Sequence, residues 1–86
     1  MITQIDKSEE FLQYTLNIIL ETADAISIKK TVDELGTLYE LQVSSADMGR
    51  LIGKEGKTIQ SIRTLLRMIG SQNNERINLK VLEPSS

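Results

Sequence analysis

The sequence has 86 residues, with ten Lys plus Arg against twelve Asp plus Glu, so its net charge is −2 and its pI is near 5.0. A chain of this length buries one small core, and we expect residues 1–86 to form a single domain with its core at about 8–83 and a short tail at 84–86. It contains no Cys and no His, which excludes thiolate nucleophiles, zinc fingers and His-based general bases, so we expect no catalysis, no metal and no cofactor.

The first half of the sequence predicts a helix followed by a β-hairpin. Apolar residues recur at helical spacing over 8–23, and Asp6 or Ser8 caps the predicted start of this helix. Over residues 26–33 apolar and polar side chains alternate, which is typical of a half-buried strand. A glycine-containing turn leads to a second alternating strand at 39–43, so the two strands form a hairpin.

The second half predicts two helices and a last strand. A short helix over 48–52 ends at Gly53, and a longer amphipathic helix over 57–69 ends at Gly70. The alternation over 77–81 predicts a strand. The order α-β-β-α-α-β indicates an α+β fold with one sheet and helices on one face.

The sequence lacks any apolar segment of membrane-spanning length. Its longest apolar run has three residues, over 18–20, whereas a bilayer-spanning helix needs roughly 20. We therefore expect a cytoplasmic protein without a membrane segment.

Charge is unevenly distributed along the chain. Residues 1–47 hold three Lys against nine acids, whereas residues 48–70 hold five Lys and Arg against one Glu and have a net charge of +4. A partner meets the local charge within a Debye length of about 8–10 Å rather than the average. The segment 48–70 is therefore the predicted surface for a polyanion.

The most informative motif is Gly53-Lys54-Glu55-Gly56. Two glycines three apart, between two helices, allow a tight turn and close backbone approach to a ligand. The second glycine opens a helix whose free N–H groups and dipole suit a phosphate. A bare GxxG more often marks only a helix joint, so the neighbouring residues decide its meaning.

Residues 47–66, Asp-Met-Gly-Arg-Leu-Ile-Gly-Lys-Glu-Gly-Lys-Thr-Ile-Gln-Ser-Ile-Arg-Thr-Leu-Leu, closely resemble the core of a KH domain. In that family Ile-Gly-x-x-Gly-x-x-Ile joins two helices, and the loop clamps about four single-stranded nucleotides. The element order resembles the type II arrangement, which implies a three-stranded mixed sheet. At full length the sequence resembles small bacterial single-domain KH proteins of the KhpA type. That resemblance implies single-stranded RNA as ligand, a homodimer, and a larger Jag-type KH protein as a further partner.

The resemblance implies that Gly53 and Gly56 approach the sugar-phosphate backbone, while Lys54 places a charge on a phosphate. Glu55 puts a carboxylate beside that phosphate, which predicts modest affinity. Further cations extend the surface, namely Arg50, Lys57, Arg63 and Arg67. The residues expected to border an apolar base-binding groove are Ile52, Ile59 and the strand around 41–43, although Ile59 also fits a core position.

The long helix contains two further patterns. Gly56-Lys57-Thr58 matches the end of the GxxxxGK[ST] nucleotide-binding loop, but Leu51 stands where that motif needs glycine and no buried strand precedes it, which argues against an NTPase. The stripe containing Ser61, Leu65 and Met68 either widens the core contact or forms a self-association surface. The sequence therefore predicts an RNA-binding protein acting in post-transcriptional regulation or as an RNA chaperone, with a protein-interaction module as the alternative.

Overall fold

The computed structural model describes residues 7–21 and 23–82. In this part of the chain three α-helices and three strands follow one another in the order predicted from sequence. The predicted cap Asp6 and the predicted tail 84–86 lie outside the described residues. The elements are α1 (Lys7–Ile19), β1 (Ser27–Asp33), β2 (Gly36–Gln42), α2 (Met48–Ile52), α3 (Lys57–Gln72) and β3 (Ile77–Val81), with short 3₁₀ turns at Ala23–Ala25, Ser45–Asp47 and Lys54–Gly56.

The three strands form one mixed sheet in the order β1-β2-β3. β1 pairs antiparallel with β2 through a two-residue turn, and β2 pairs parallel with β3, with Thr37 opposite Ile77. A parallel pair needs a long connection, so α2, the glycine loop and α3 all lie between β2 and β3. This confirms the α+β fold with the type II KH order.

The core lies between the helices and one face of the sheet. On β2 the alternation is as predicted, since Tyr39 and Leu41 are fully buried between half-buried neighbours. The buried apolar side chains that pack together come from every helix and from β2 and β3: Leu12, Leu16, Leu20, Tyr39, Leu41, Val43, Leu51, Ile59, Ile62, Leu66, Ile77 and Leu79.

β1 is more exposed than its alternating sequence predicts. Ile28 is only half-buried and Val32 is 66% exposed. β1 is an edge strand, flanked only by β2, so its apolar positions receive less cover than those of the central strand. The prediction of a half-buried strand is wrong for most of its length.

α1 ends at Ile19 rather than at the predicted residue 23. The N–H of Leu20 still donates to Leu16 O at 2.9 Å, but the N–H of Glu21 donates to Asp47 Oδ1 at 3.3 Å. Asp47 is 2% exposed and makes no capping hydrogen bond to α2, although it directly precedes that helix. Its buried carboxylate instead accepts from the second N–H beyond the helix end, that of Glu21, which ties the end of α1 to the start of α2.

α3 continues through Gly70 to Gln72, so the predicted stop at Gly70 is wrong. Gly70 is buried, and a Cβ there would lie 2.6 Å from Glu75 O and 2.9 Å from Ile77 Cγ1. The N–H of Glu75 donates to Gly70 O at 2.8 Å. Glycine is therefore needed for the close return of the chain into β3, and it does not end the helix.

A buried hydrogen bond links α1 to the central strand. Ser8 lies inside α1, and its Oγ is 2.6 Å from the hydroxyl of Tyr39. Both side chains are at most 2% exposed, so the hydroxyls satisfy each other away from water. In residues 7–21 and 23–82 no helix combines the length and the apolar character needed to cross a membrane.

Candidate functional site

The GxxG segment forms a tight turn with an unusual backbone. Positive φ angles occur at Gly53 (78°), Glu55 (57°) and Gly56 (76°). The N–H of Gly53 donates to Gly49 O at 2.9 Å, and the N–H of Gly56 donates to Gly53 O at 3.2 Å. These bonds close α2 and start α3 within four residues, which leaves the tip of the loop on the surface.

The two loop glycines meet different surroundings. A Cβ on Gly53 would collide with Oγ1 of Thr58 and would lie 2.8 Å from the Thr58 backbone nitrogen, whereas a Cβ on Gly56 would meet nothing within 4 Å. Gly53 is thus needed for packing inside the turn. Gly56 keeps open space on the outer side of the loop, where a ligand backbone can approach.

The loop tip presents backbone donors to solvent. Lys54 and Glu55 are both exposed, and no described residue accepts a hydrogen bond from either backbone N–H. Successive open N–H groups at a turn form the kind of concavity that binds anions. Glu55 belongs to the same tip, so the negative charge of its carboxylate partly offsets the attraction of these two N–H groups for an anion.

The basic side chains divide into two groups. Arg63 and Arg67 lie one turn apart on one flank of α3, whereas Lys57 lies in the first turn, about 80–120° around the helix from them, and within the described ranges none of the three forms an ion pair. Arg50 instead pairs with Glu21, with Nη2 2.6 Å from Oε1, and both side chains are more than half exposed. The pair neutralises Arg50 locally, so the α3 flank carries the positive field.

A groove of about 300 Å³ lies between α3 and β3. Leu66, Ile77 and Leu79 lie beneath it but are at most 7% exposed, so the accessible surface of the groove is mainly polar. Arg63 is half-buried, and its Nε donates to Leu79 O at 3.3 Å. The polar side chains that line the groove are Gln60, Arg63, Arg67 and Asn78.

This groove is not bordered by the strand predicted for it. Leu41 and Val43 are 0% and 2% exposed, and Ile59 is 4% exposed, so all three belong to the core. Ile52 is half-buried against that core. The bordering strand is β3 because β2 is central and has strands on both sides.

Sequence reasoning missed Gln60 and Asn78 as lining residues. Gln60 lies one turn before Arg63 on α3, so helical periodicity alone would have placed it beside this cation. Asn78 depends on β3 being the strand beside α3. The parallel pairing that places it there joins residues forty apart, and no local pattern contains that information.

The opposite flank of α3 is apolar and exposed. Leu65 is 44% exposed and Met68 is 57% exposed, and Ser61 beside them is also exposed. At about 100° per residue they lie away from Arg63 and Arg67 around the helix. These side chains therefore do not widen the core contact, and they leave an apolar surface separate from the groove.

The part of the chain that the structure describes contains no cluster of three or more acidic side chains arranged to hold a metal ion.

Comparison with known proteins places this geometry in a family. A model described as the KH domain of KhpA/KhpB matches residues 9–81. The chain is 40% identical over 75 residues to the RNA-binding protein KhpA of Chlamydia pneumoniae, covering 87% of this chain and 96% of the relative. It is 33% identical over 75 residues to the RNA-binding protein KhpA of Listeria monocytogenes, covering 87% and 99% of the two chains.

A solved structure of Era from Aquifex aeolicus is similar in fold. It superposes with a TM-score of 0.65 at 16% identity, covering 98% of this chain but 33% of the Era chain. At this identity the likeness concerns the fold alone. One third of Era thus shares the arrangement of helices and strands seen here.

Proposed function

The chain belongs to the KhpA/KhpB family of KH domains, and from that premise we propose that it binds single-stranded RNA through the GxxG loop and the α3–β3 groove. The family is one of RNA-binding proteins and not of enzymes. The observation that carries the proposal is the exposed turn, with open N–H groups at Lys54 and Glu55 next to a flank of unpaired cations. Backbone donors and cations together suit a sugar-phosphate chain.

The proposed path of the RNA starts at the loop. A phosphate lies against the loop N–H groups and Lys54, where Gly56 leaves open space. The strand then follows Lys57 along α3, and its bases enter the groove between Arg63 and β3. Ile52 supports the loop from below, and Arg50, which pairs with Glu21, contributes little to this path.

The loop is tested by substituting Gly56 alone. Asp and Asn tolerate positive φ better than other residues and are good helix N-caps, so Gly56→Asp and Gly56→Asn retain the fold. Gly53 is unsuitable, because any Cβ there meets Thr58. We expect Gly56→Asp to weaken binding of a fluorescent single-stranded RNA at least fivefold more than the isosteric Gly56→Asn. Equal affinities of wild type and Gly56→Asp would exclude the loop as the phosphate site.

We further propose that the chain acts in post-transcriptional regulation or as an RNA chaperone in the cytoplasm. The support is the family and the small size of the site, which suits brief contacts with many transcripts. Crosslinking in cells followed by sequencing of the attached RNA tests this. Recovery of many messenger or small regulatory RNAs is expected, whereas no enrichment over the Gly56→Asp variant would contradict it.

The apolar flank of α3 favours a second role as a self-association surface. Leu65 and Met68 are large, apolar and exposed, and they face away from the groove, so a homodimer formed through them and Ser61 leaves the α3–β3 groove of each protomer free. The larger Jag-type KH protein is the other candidate occupant of this flank. The family description, which joins KhpA with KhpB, supports such a pairing.

Sedimentation over a range of concentrations tests the homodimer. We expect wild type to dimerise and Leu65→Glu to remain monomeric, because a carboxylate cannot be buried without a partner. Leu35→Glu is the matched control, since Leu35 is 77% exposed at the hairpin turn. A monomeric wild type contradicts the homodimer, and a mixture with the larger KH protein then shows whether that partner occupies the flank.

A further inference from the structure

We propose that Arg63 reads the base that enters the α3–β3 groove and selects guanine or cytosine over uracil and adenine. This inference rests on the proposed RNA binding and assigns a specificity-determining residue within it. In this proposal Arg63 contacts a base, whereas the other cations of α3, Lys57 and Arg67, contact phosphates.

Arg63 is held in place by the edge of the sheet. Its Nε donates to Leu79 O at 3.3 Å, and the side chain is half-buried. Because β3 is an edge strand, Leu79 O accepts its hydrogen bond from the guanidinium of Arg63 rather than from a neighbouring strand. A guanidinium bound through Nε keeps the N–H donors on Nη1 and Nη2, and this bond favours one orientation of the group before any ligand arrives.

The donor-only character of this group determines which base edges fit. Guanine presents two adjacent acceptors, O6 and N7, and cytosine presents two, O2 and N3. Adenine places an amino donor beside each of N1 and N7, and uracil places the N3 hydrogen between its two carbonyls. Two parallel N–H groups therefore find paired acceptors only on guanine or cytosine, as in the frequent bidentate contact of Arg with guanine.

The remainder of the groove offers a base little apolar surface. Leu66, Ile77 and Leu79 lie beneath it but are at most 7% exposed. The sequence has three aromatic residues. Tyr39 is buried in the core, and the other two lie on α1, so no aromatic ring competes with Arg63 as a base-reading element by stacking.

Arg67 and Lys57 provide the contrast. Both are exposed, and neither side chain makes a hydrogen bond or ion pair with another described residue. A mobile exposed cation follows a phosphate but does not fix the edge of a base. Arg67 therefore contributes affinity for any RNA, whereas Arg63 contributes a preference among bases.

The test is a fluorescence titration with labelled octamers of C, U and A and with the alternating octamers UG and UA. Wild type should bind octa-C and UG about fivefold or more tightly than octa-U, octa-A and UA, because a bidentate pair gives at least that discrimination. Arg63→Lys should lose this preference while keeping its affinity for octa-U and its salt dependence. The matched control Arg67→Lys should keep the preference.

A second measurement uses wild type alone, because Arg63→Lys removes the partly buried hydrogen bond to Leu79 O and lowers stability. In ¹H–¹⁵N spectra of the arginine side chains, the Nε–H of Arg63 should shift with octa-C and not with octa-U, whereas that of Arg67 shifts with both. An equal response of Arg63 to both RNAs, or an unchanged preference in Arg63→Lys, overturns the inference. If wild type binds every octamer equally and Gly56→Asp still weakens binding, only the base selection fails. If wild type binds none, the proposed RNA function fails with it.

Discussion

The two loop glycines show that one residue type serves two purposes in four positions. Gly53 adopts a φ of 78° and lies against Thr58, so its missing Cβ allows the turn to close. Gly56 adopts a similar φ of 76° with open space beside it. Between them Glu55 accepts a φ of 57° although it carries a side chain, so positive φ alone does not require glycine in this loop.

Alanine substitutions should separate these two purposes. Gly56→Ala should lower the free energy of unfolding by about 1–2 kcal/mol, the usual cost of the left-handed conformation. Gly53→Ala should lower it by more, because the Cβ also meets the side chain and backbone nitrogen of Thr58. Urea unfolding of both variants measures the difference. Equal losses would mean that the Thr58 contact relaxes freely.

The sequence predicted the position of the glycine loop better than the contacts made by the basic side chains around it. The loop motif placed Gly53 to Gly56 between two helices, as found. The roles of Arg50 and Arg63 were not predicted, since each depends on a partner distant in sequence: Glu21 for one and Leu79 for the other. A local charge count treats them as equal cations, although one is paired and the other is anchored at the groove.

At the scale of elements, α3 and β3 are joined by a close return of the chain. The turn brings Glu75 O and Ile77 against the backbone of Gly70 in the last turns of α3. Glycine at a helix end usually signals a stop, which led to the predicted end at residue 69. Glycine is required here because the segment that follows packs against it. Helical periodicity gives no information about that contact.

Two helical glycines should respond to alanine with opposite signs. Gly70→Ala should lower stability, because the new Cβ meets Glu75 O and Ile77 and this overlap outweighs the gain in helix propensity. Gly49→Ala, in α2 with nothing within 4 Å of a Cβ, should raise stability by about 0.5–1 kcal/mol. Thermal and urea unfolding give both values. A stabilising Gly70→Ala would show that the return segment moves away at little cost.

For the whole molecule, an acidic average charge coexists with a localised basic surface. The net charge is −2, yet the cations without ion pairs in the described structure include Lys54, Lys57 and Arg67 at the loop and along α3. We therefore expect this surface to contact few phosphates. The acidic segment 1–47 adds a repulsive field that steers RNA to the other side.

RNA affinity should accordingly depend weakly on salt. Three phosphate contacts predict a slope of log K against log salt of about −2, since each contact to a single strand contributes about 0.7. Lys57→Ala should reduce the slope by about 0.7, whereas Arg50→Ala should leave it unchanged because Arg50 is already paired with Glu21. Titrations at several salt concentrations measure the slopes. A slope steeper than about −4 would require more contacts than this surface offers.

The parallel pairing of β2 with β3 also determines when the groove can form during folding. The β1–β2 hairpin closes through a two-residue turn and belongs to the fast local events of folding, in about 1–10 μs. β3 instead pairs with a strand forty residues earlier, and such loop closure is slow because its entropy is lost before the contacts form. The groove is therefore complete only after β3 has joined the sheet, because only then does Leu79 O lie in place to accept the hydrogen bond from Arg63.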